Sequence, residues 1–121
     1  MRIVRQGERS ETYGGRFTGR VELEMLAPAE AADRPDVARV HFFAGAVSNW
    51  HRHPGGQQLL LLGGRGRFGT PDGEHELAPG DYLVTPADER HFHGAAGGAD
   101  CIWLTITWGV TQWEDEAPAT L

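Results

Sequence analysis

Apolar and polar residues alternate along most of this chain with the two-residue period of a half-buried strand. Val21-Glu-Leu23-Glu-Met25 sets apolar side chains against glutamates, and Val37-Ala-Arg-Val-His-Phe-Phe43 reads the same way. Asp100-Cys-Ile-Trp-Leu-Thr-Ile-Thr-Trp108 is the strongest such run. Gln57 to Leu62 departs from alternation, being apolar on both faces from Leu59 on, as suits a strand packed between two layers. Further short strands are predicted at Arg67 to Gly69, Glu74 to Leu77, Tyr82 to Thr85 and through His91-Phe-His93. Turn chemistry separates them: Gly45, Pro54-Gly55-Gly56, Gly63-Gly64-Arg65-Gly66, Thr70-Pro71-Asp72-Gly73, Pro79-Gly80-Asp81 and Pro86-Ala87-Asp88-Glu89. Ala27 to Pro35 has proline near both ends and reads as loop. No helical pattern longer than a turn competes, so the expected fold class is all-β, a small antiparallel barrel.

Length narrows this to one domain spanning 1–121, since 121 residues bury one core and no more. Within it, residues 1–20 read as an extended arm with Tyr13 and Phe17 as aromatic anchors, about 17–113 as the barrel, and 114–121 as a mobile acidic tail. The net charge of -6 argues against nucleic acid or an acidic membrane surface as partner, because both require a basic footprint. Every cationic side chain is arginine, so Schiff-base and amine-nucleophile chemistry are excluded. The single Cys101 allows no internal disulfide and reads as a buried small hydrophobe. With no apolar signal-peptide core at the N-terminus, the expected location is the cytoplasm.

Chemistry concentrates in Gly45-Ala-Val-Ser-Asn-Trp-His51-Arg-His53-Pro-Gly-Gly-Gln57, answered later in the chain by His91-Phe-His93. Residues two apart on a strand project from one face, so His51 and His53 can share one ion. Pro54-Gly55-Gly56 bends the chain and lets the Gln57 amide oxygen swing back toward the same point. His91 and His93 repeat the two-residue spacing. His41 and His75 fall on outward or hairpin positions and read as surface residues.

These residues resemble the cupin family. Its first motif is a glycine, five residues, His-x-His, three or four residues, Glu, six residues and Gly; Gly45, His51, His53, position 57 and Gly64 match that spacing, with Gln57 in place of Glu. Gly80, Pro86 and His91 match the second motif, with Asp88 and Ala95 replacing its second glycine and its asparagine. Trp50-His-Arg-His-Pro-Gly-Gly-Gln57 with His91-Phe-His-Gly-Ala95 is similar to small single-domain bacterial cupins associated with carboxymuconolactone decarboxylases, a subgroup that includes manganese-dependent hydroxynitrile lyases. Those lyases carry a histidine on the last core strand where this chain has Trp103.

The resemblance implies a jelly-roll-like barrel that binds one divalent transition metal (Mn, Fe, Ni, Zn or Co) through His51, His53, Gln57 and His91. Neutral Gln57 leaves the ion's charge undiminished, which favours carboxylate, hydroxy-acid or enediol ligands. His93 is a further ligand, a hydrogen-bonding support or the general base, and the proton-transfer role is the one favoured. By strand parity Val40, Phe42, Leu59, Leu61, Trp103, Thr105 and Thr107 are expected to line a substrate pocket. The opposite parity leaves Leu60, Leu62, Ile102, Leu104 and Ile106 outward, an apolar face through which a homodimer is expected to form. The expected function is a metal-dependent enzyme acting on a small oxygen-bearing or carboxylate substrate, of lyase, isomerase, cyclase or decarboxylase type. An iron-dependent dioxygenase and a non-catalytic small-ligand-binding cupin are the alternatives.

Overall fold

A computed structural model describes residues 1–5, 10–11 and 16–119, with Ser10–Glu11 as backbone. The anchor expected at Tyr13 and the end of the expected acidic tail lie outside the described residues. Strands form where the alternation predicts them, and no helix is present among the described residues. None is therefore long and apolar enough to cross a membrane.

In chain order the strands are β1 Ser10–Glu11, β2 Phe17–Thr18, β3 Val21–Ala27, β4 Asp36–Phe42, β5 Val47–Ser48, β6 His51–Arg52, β7 Gln57–Gly64, β8 Gly66–Thr70, β9 Gly73–Leu77, β10 Tyr82–Thr85, β11 Phe92–Ala95, β12 Cys101–Thr107 and β13 Gln112–Trp113. They pair into a six-stranded sheet ordered β1-β3-β4-β12-β7-β10 and a five-stranded sheet ordered β2-β5-β11-β8-β9, with β13 against β6 as a third ribbon. Every pairing is antiparallel. This is the expected all-β architecture.

The larger sheet follows its sequence parity. Ala38, Val40 and Phe42 of β4, Leu59 and Leu61 of β7, and Cys101, Trp103, Thr105 and Thr107 of β12 are buried, while their neighbours are partly open. Burying a side chain such as Phe42, Leu59 or Leu61 contributes about 1.5–3 kcal/mol each. Trp103 is fully buried and anchors the closed end of the barrel, its Nε1 donating to the Gly94 carbonyl at 3.1 Å. Gly66 makes room for it: a Cβ there would come within 2.7 Å of the Trp103 ring. The opposite end stays open, and the histidines gather toward it.

Candidate metal centre

His51 and His91 belong to different segments, and the backbone brings them together. Each donates its N–H to the other's carbonyl, at 2.9 and 3.0 Å, and they form an isolated antiparallel bridge. Residues directly opposite in such a pair project to the same side. Their rings accordingly stand 4.4 Å apart between centroids. His53 lies 4.8 Å from His51 and 5.1 Å from His91 by the same measure. His93 follows two residues after His91, its backbone N–H donating to Ser48 Oγ at 3.1 Å.

Gln57 arrives by the predicted turn. The Gly56 N–H donates to the His53 carbonyl, and Gly56 holds a left-handed φ of 88°. A Cβ at Gly56 would sit 2.8 Å from the Thr85 carbonyl oxygen, so glycine is required there on both counts. Thr85 then fixes the start of β7, its hydroxyl donating to the Gln57 carbonyl at 2.8 Å and accepting from the Gln57 N–H at 3.0 Å.

The hydrogen bonds around the rings settle which nitrogens carry lone pairs. His51 Nδ1 donates to the Asn49 carbonyl at 2.8 Å, and His91 Nδ1 donates to the Glu89 carbonyl at 2.9 Å. A carbonyl only accepts, so the proton sits on Nδ1 in both rings and Nε2 is a bare lone pair. His53 Nδ1 is 3.0 Å from Thr111 Oγ1, and His53 Nε2 is buried with no hydrogen-bond partner. Gln57 Nε2 donates to Thr107 Oγ1 at 2.9 Å, which turns Gln57 Oε1 toward His91 Nε2 at 3.1 Å. That last contact sets two acceptors face to face.

Burial keeps the rings neutral. It lowers the His53 pKa to about 3 and that of His91 to about 4, and drives His51 and His93 well below the usual histidine range. Repulsion between neighbouring imidazoles adds to the effect at His51, His53 and His93. Neutral imidazoles with inward lone pairs are the form that ligates metal. Donor atoms of His51, His91 and His93 lie within 4.8 Å of one another, and these three histidines could hold a metal ion. His53 falls outside that triad but brings the orphaned Nε2. The facing acceptors and this orphaned lone pair make the donor set fit a metal.

A cavity of about 730 Å³ opens beside the cluster. His51, His53, Gln57 and His93 face into it, with Val40, Phe42, Thr105 and Thr107 on the wall as expected from parity. Leu59, Leu61 and Trp103 do not line it. They lie on the inward face, but deeper, in the packed core with Phe68 and Ala95; parity assigns a face and says nothing of depth. Strand parity also marks residues the sequence reading passed over: Leu23 and Met25 share one face of β3, and Asp36 continues the inward set of β4. Phe17, expected as an anchor of the arm, also lies on the wall, and Arg16, Arg34, Thr111 and Trp113 come from the arm, a loop and the C-terminal segment, where no local pattern announced them. Trp113 lies 4.6 Å from the His51 ring and 5.4 Å from Phe17. Cys101 is buried away from this wall, and burial pushes its thiol up to about 12, which leaves it unreactive.

A fold of two antiparallel sheets with a histidine cluster at its open end defines a class, and the chain belongs to it: residues 38–107 match the family model described as a cupin domain. Among characterised proteins it is 36% identical over 99 residues to an (R)-mandelonitrile lyase from Granulicella tundricola, covering 79% of this chain and 76% of that protein. It is 40% identical over 74 residues to an acireductone dioxygenase from Rhodopseudomonas palustris, a match spanning 58% of this chain and 41% of that protein's length. A crystal structure of a cupin-like protein from Thermotoga maritima superimposes with a TM-score of 0.84 at 32% identity, covering 91% of this chain and 88% of that one.

Proposed function

We propose that this cupin is a metal-dependent enzyme acting on a small oxygen-bearing or carboxylate substrate by Lewis-acid and acid/base chemistry, of lyase, isomerase, cyclase or decarboxylase type. The observation that carries this reading is the contact between Gln57 Oε1 and His91 Nε2, two acceptors 3.1 Å apart, each held from behind by a hydrogen bond. Buried acceptors so placed repel one another unless a cation lies against both. His51, His53, Gln57 and His91 would hold one divalent ion (manganese, iron, nickel, zinc or cobalt), which supplies Lewis acidity toward a substrate oxygen.

The chain's own groups do the rest. His93 faces the cavity with its Nδ1 buried and without a hydrogen-bond partner, so that nitrogen would take a proton from the substrate and later return it. Val40 and Phe42 give the wall an apolar body that keeps water from the reacting atoms. The likeness to a mandelonitrile lyase makes mandelonitrile the first substrate to try. The likeness to an acireductone dioxygenase supports a second reading, an iron-dependent dioxygenase. Turnover by iron-loaded protein that persists without oxygen would remove that second reading, and tight binding of an acid released unchanged would mark a non-catalytic binder.

Metal analysis of protein purified without chelator tests the foundation. We expect about one divalent ion per chain in the wild type and little in His51→Ala; equal content in both would overturn the reading. We place the protein in the cytoplasm as a homodimer joined through the outer face of the six-stranded sheet. There Leu60, Leu62, Ile102, Leu104 and Ile106 form an apolar band beside Tyr82 and Val84, with Leu62 45% and Val84 71% exposed. A purely monomeric sedimentation profile would exclude the dimer.

A further inference from the structure

Arginines in this acid-rich chain are usually matched to carboxylates. Arg2, Arg20, Arg39, Arg65, Arg67 and Arg90 each form an ion pair with a glutamate. The two arginines that line the cavity, like Arg5 and Arg52 outside it, stand apart from that habit: among the described residues, neither Arg16 nor Arg34 has a carboxylate within ion-pairing distance. Arg16 is nevertheless held in place, its guanidinium carbon 5.5 Å from the Trp113 ring centroid. That ring stands 4.6 Å from His51. The Arg16 charge is thus no more than about 10 Å from the histidine cluster, with an apolar wall between.

We propose that Arg16 and Arg34 form a carboxylate-binding rim, so that the cavity takes a small acid with two oxygen-bearing ends, one at the histidine cluster and a terminal carboxylate at the rim. Guanidinium is the side chain best suited to a carboxylate, which it can meet with two parallel hydrogen bonds. Two unpaired cations beside an apolar cavity offer such a group a site at no cost of breaking an existing ion pair. Asp36 also lies on the wall, but its Cα pairs with Thr107 in the strand register, and Thr107 in turn with Gln57, which sets it toward the cluster end.

This inference rests on the metal-centred reading for its inner end only, and a matched pair of probes separates the two. Calorimetric titration of the full chain, manganese-loaded and metal-free, would use succinate, glutarate and adipate, each beside its monomethyl ester. The ester keeps the length and one carboxylate and removes the second charge. We expect the best diacid to bind about tenfold more tightly than its ester, and Arg16→Gln or Arg34→Gln to erase that advantage. Equal affinity of every diacid and its ester for the wild type would overturn the rim, as would a double Arg16→Gln/Arg34→Gln variant that binds diacids like the wild type. Diacid preference that survives in the metal-free chain would support the rim, and diacid affinity that is the same with and without manganese would count against the metal-centred reading.

Discussion

Gln57 has its amide nitrogen held by the Thr107 hydroxyl. With Thr107 Oγ1 accepting from the amide nitrogen, the oxygen is left facing His91. Thr107→Val removes that acceptor and lets the amide turn its nitrogen toward His91 Nε2, where it would donate to the lone pair an ion needs. We expect metal affinity to fall about 10–100-fold, as it does when a residue supporting a ligand is lost, with the fold intact; competition against a chelator measures it. Unchanged affinity would mean that the hydroxyl does not set the amide. Spacing made Gln57 legible as a donor and parity made Thr107 legible as inward. The bond between them, across fifty positions of sequence, belongs to strand pairing and had no local signature.

At the scale of elements, the C-terminal segment departs most from its sequence pattern. Glu114-Asp115-Glu116 reads as the start of a mobile acidic tail, yet the structure ties it down. The Glu114 N–H donates to the Trp50 carbonyl and the Trp50 N–H to the Glu116 carbonyl, each at 3.0 Å. Arg90 donates to both Glu114 carboxylate oxygens and to Glu116, while its guanidinium lies over the Trp50 ring. An acidic run is solvated unless a cation meets it, and Arg90, far off in sequence, gave no sign that it would. The consequence is functional, because this clamp holds β13 and Trp113 against His51. Partly exposed ion pairs contribute little to global stability, so Arg90→Ala should cost no more than about 1 kcal/mol. It should nonetheless speed hydrogen exchange at the Trp50 and Glu114 amides well beyond the global effect; uniform protection in the variant would show that the clamp is redundant. The β7 and β12 strands show the converse. Their boundaries and buried faces were legible because alternation encodes them, whereas the depth of Leu59, Leu61 and Trp103 depends on where the barrel closes.

For the whole molecule, collecting His51, His53, His91 and His93 in one buried site makes folding sensitive to acid. In the unfolded chain each titrates near 6.5, while in the folded chain His91 holds out to about 4, His53 to about 3, and burial drives His51 and His93 well below the usual histidine range. Between those limits the unfolded state binds more protons, so stability is full above about pH 6.5 and declines as pH falls through that window. The slope is up to about 1.4 kcal/mol per pH unit for each histidine that stays neutral. Thermal unfolding of metal-free protein, followed by circular dichroism, should therefore drop steadily from about pH 6.5 to pH 4, and a flat profile would contradict the buried neutral cluster. The sequence carried the membership of this cluster, since four of its histidines sit in two His-x-His pairs. It could not convey how deeply the rings are buried, because that burial comes from Trp113, Phe42 and the other walls packed around them.

Trp113, packed 4.6 Å from the His51 ring, also gives the protein a built-in optical gauge. If His51 is a metal ligand as proposed, an indole this close should lose part of its emission when a paramagnetic ion enters and keep it when zinc does. Entry of a paramagnetic ion can thus be sought as a partial loss of intrinsic fluorescence, with Trp113→Phe isolating this indole from the other three tryptophans.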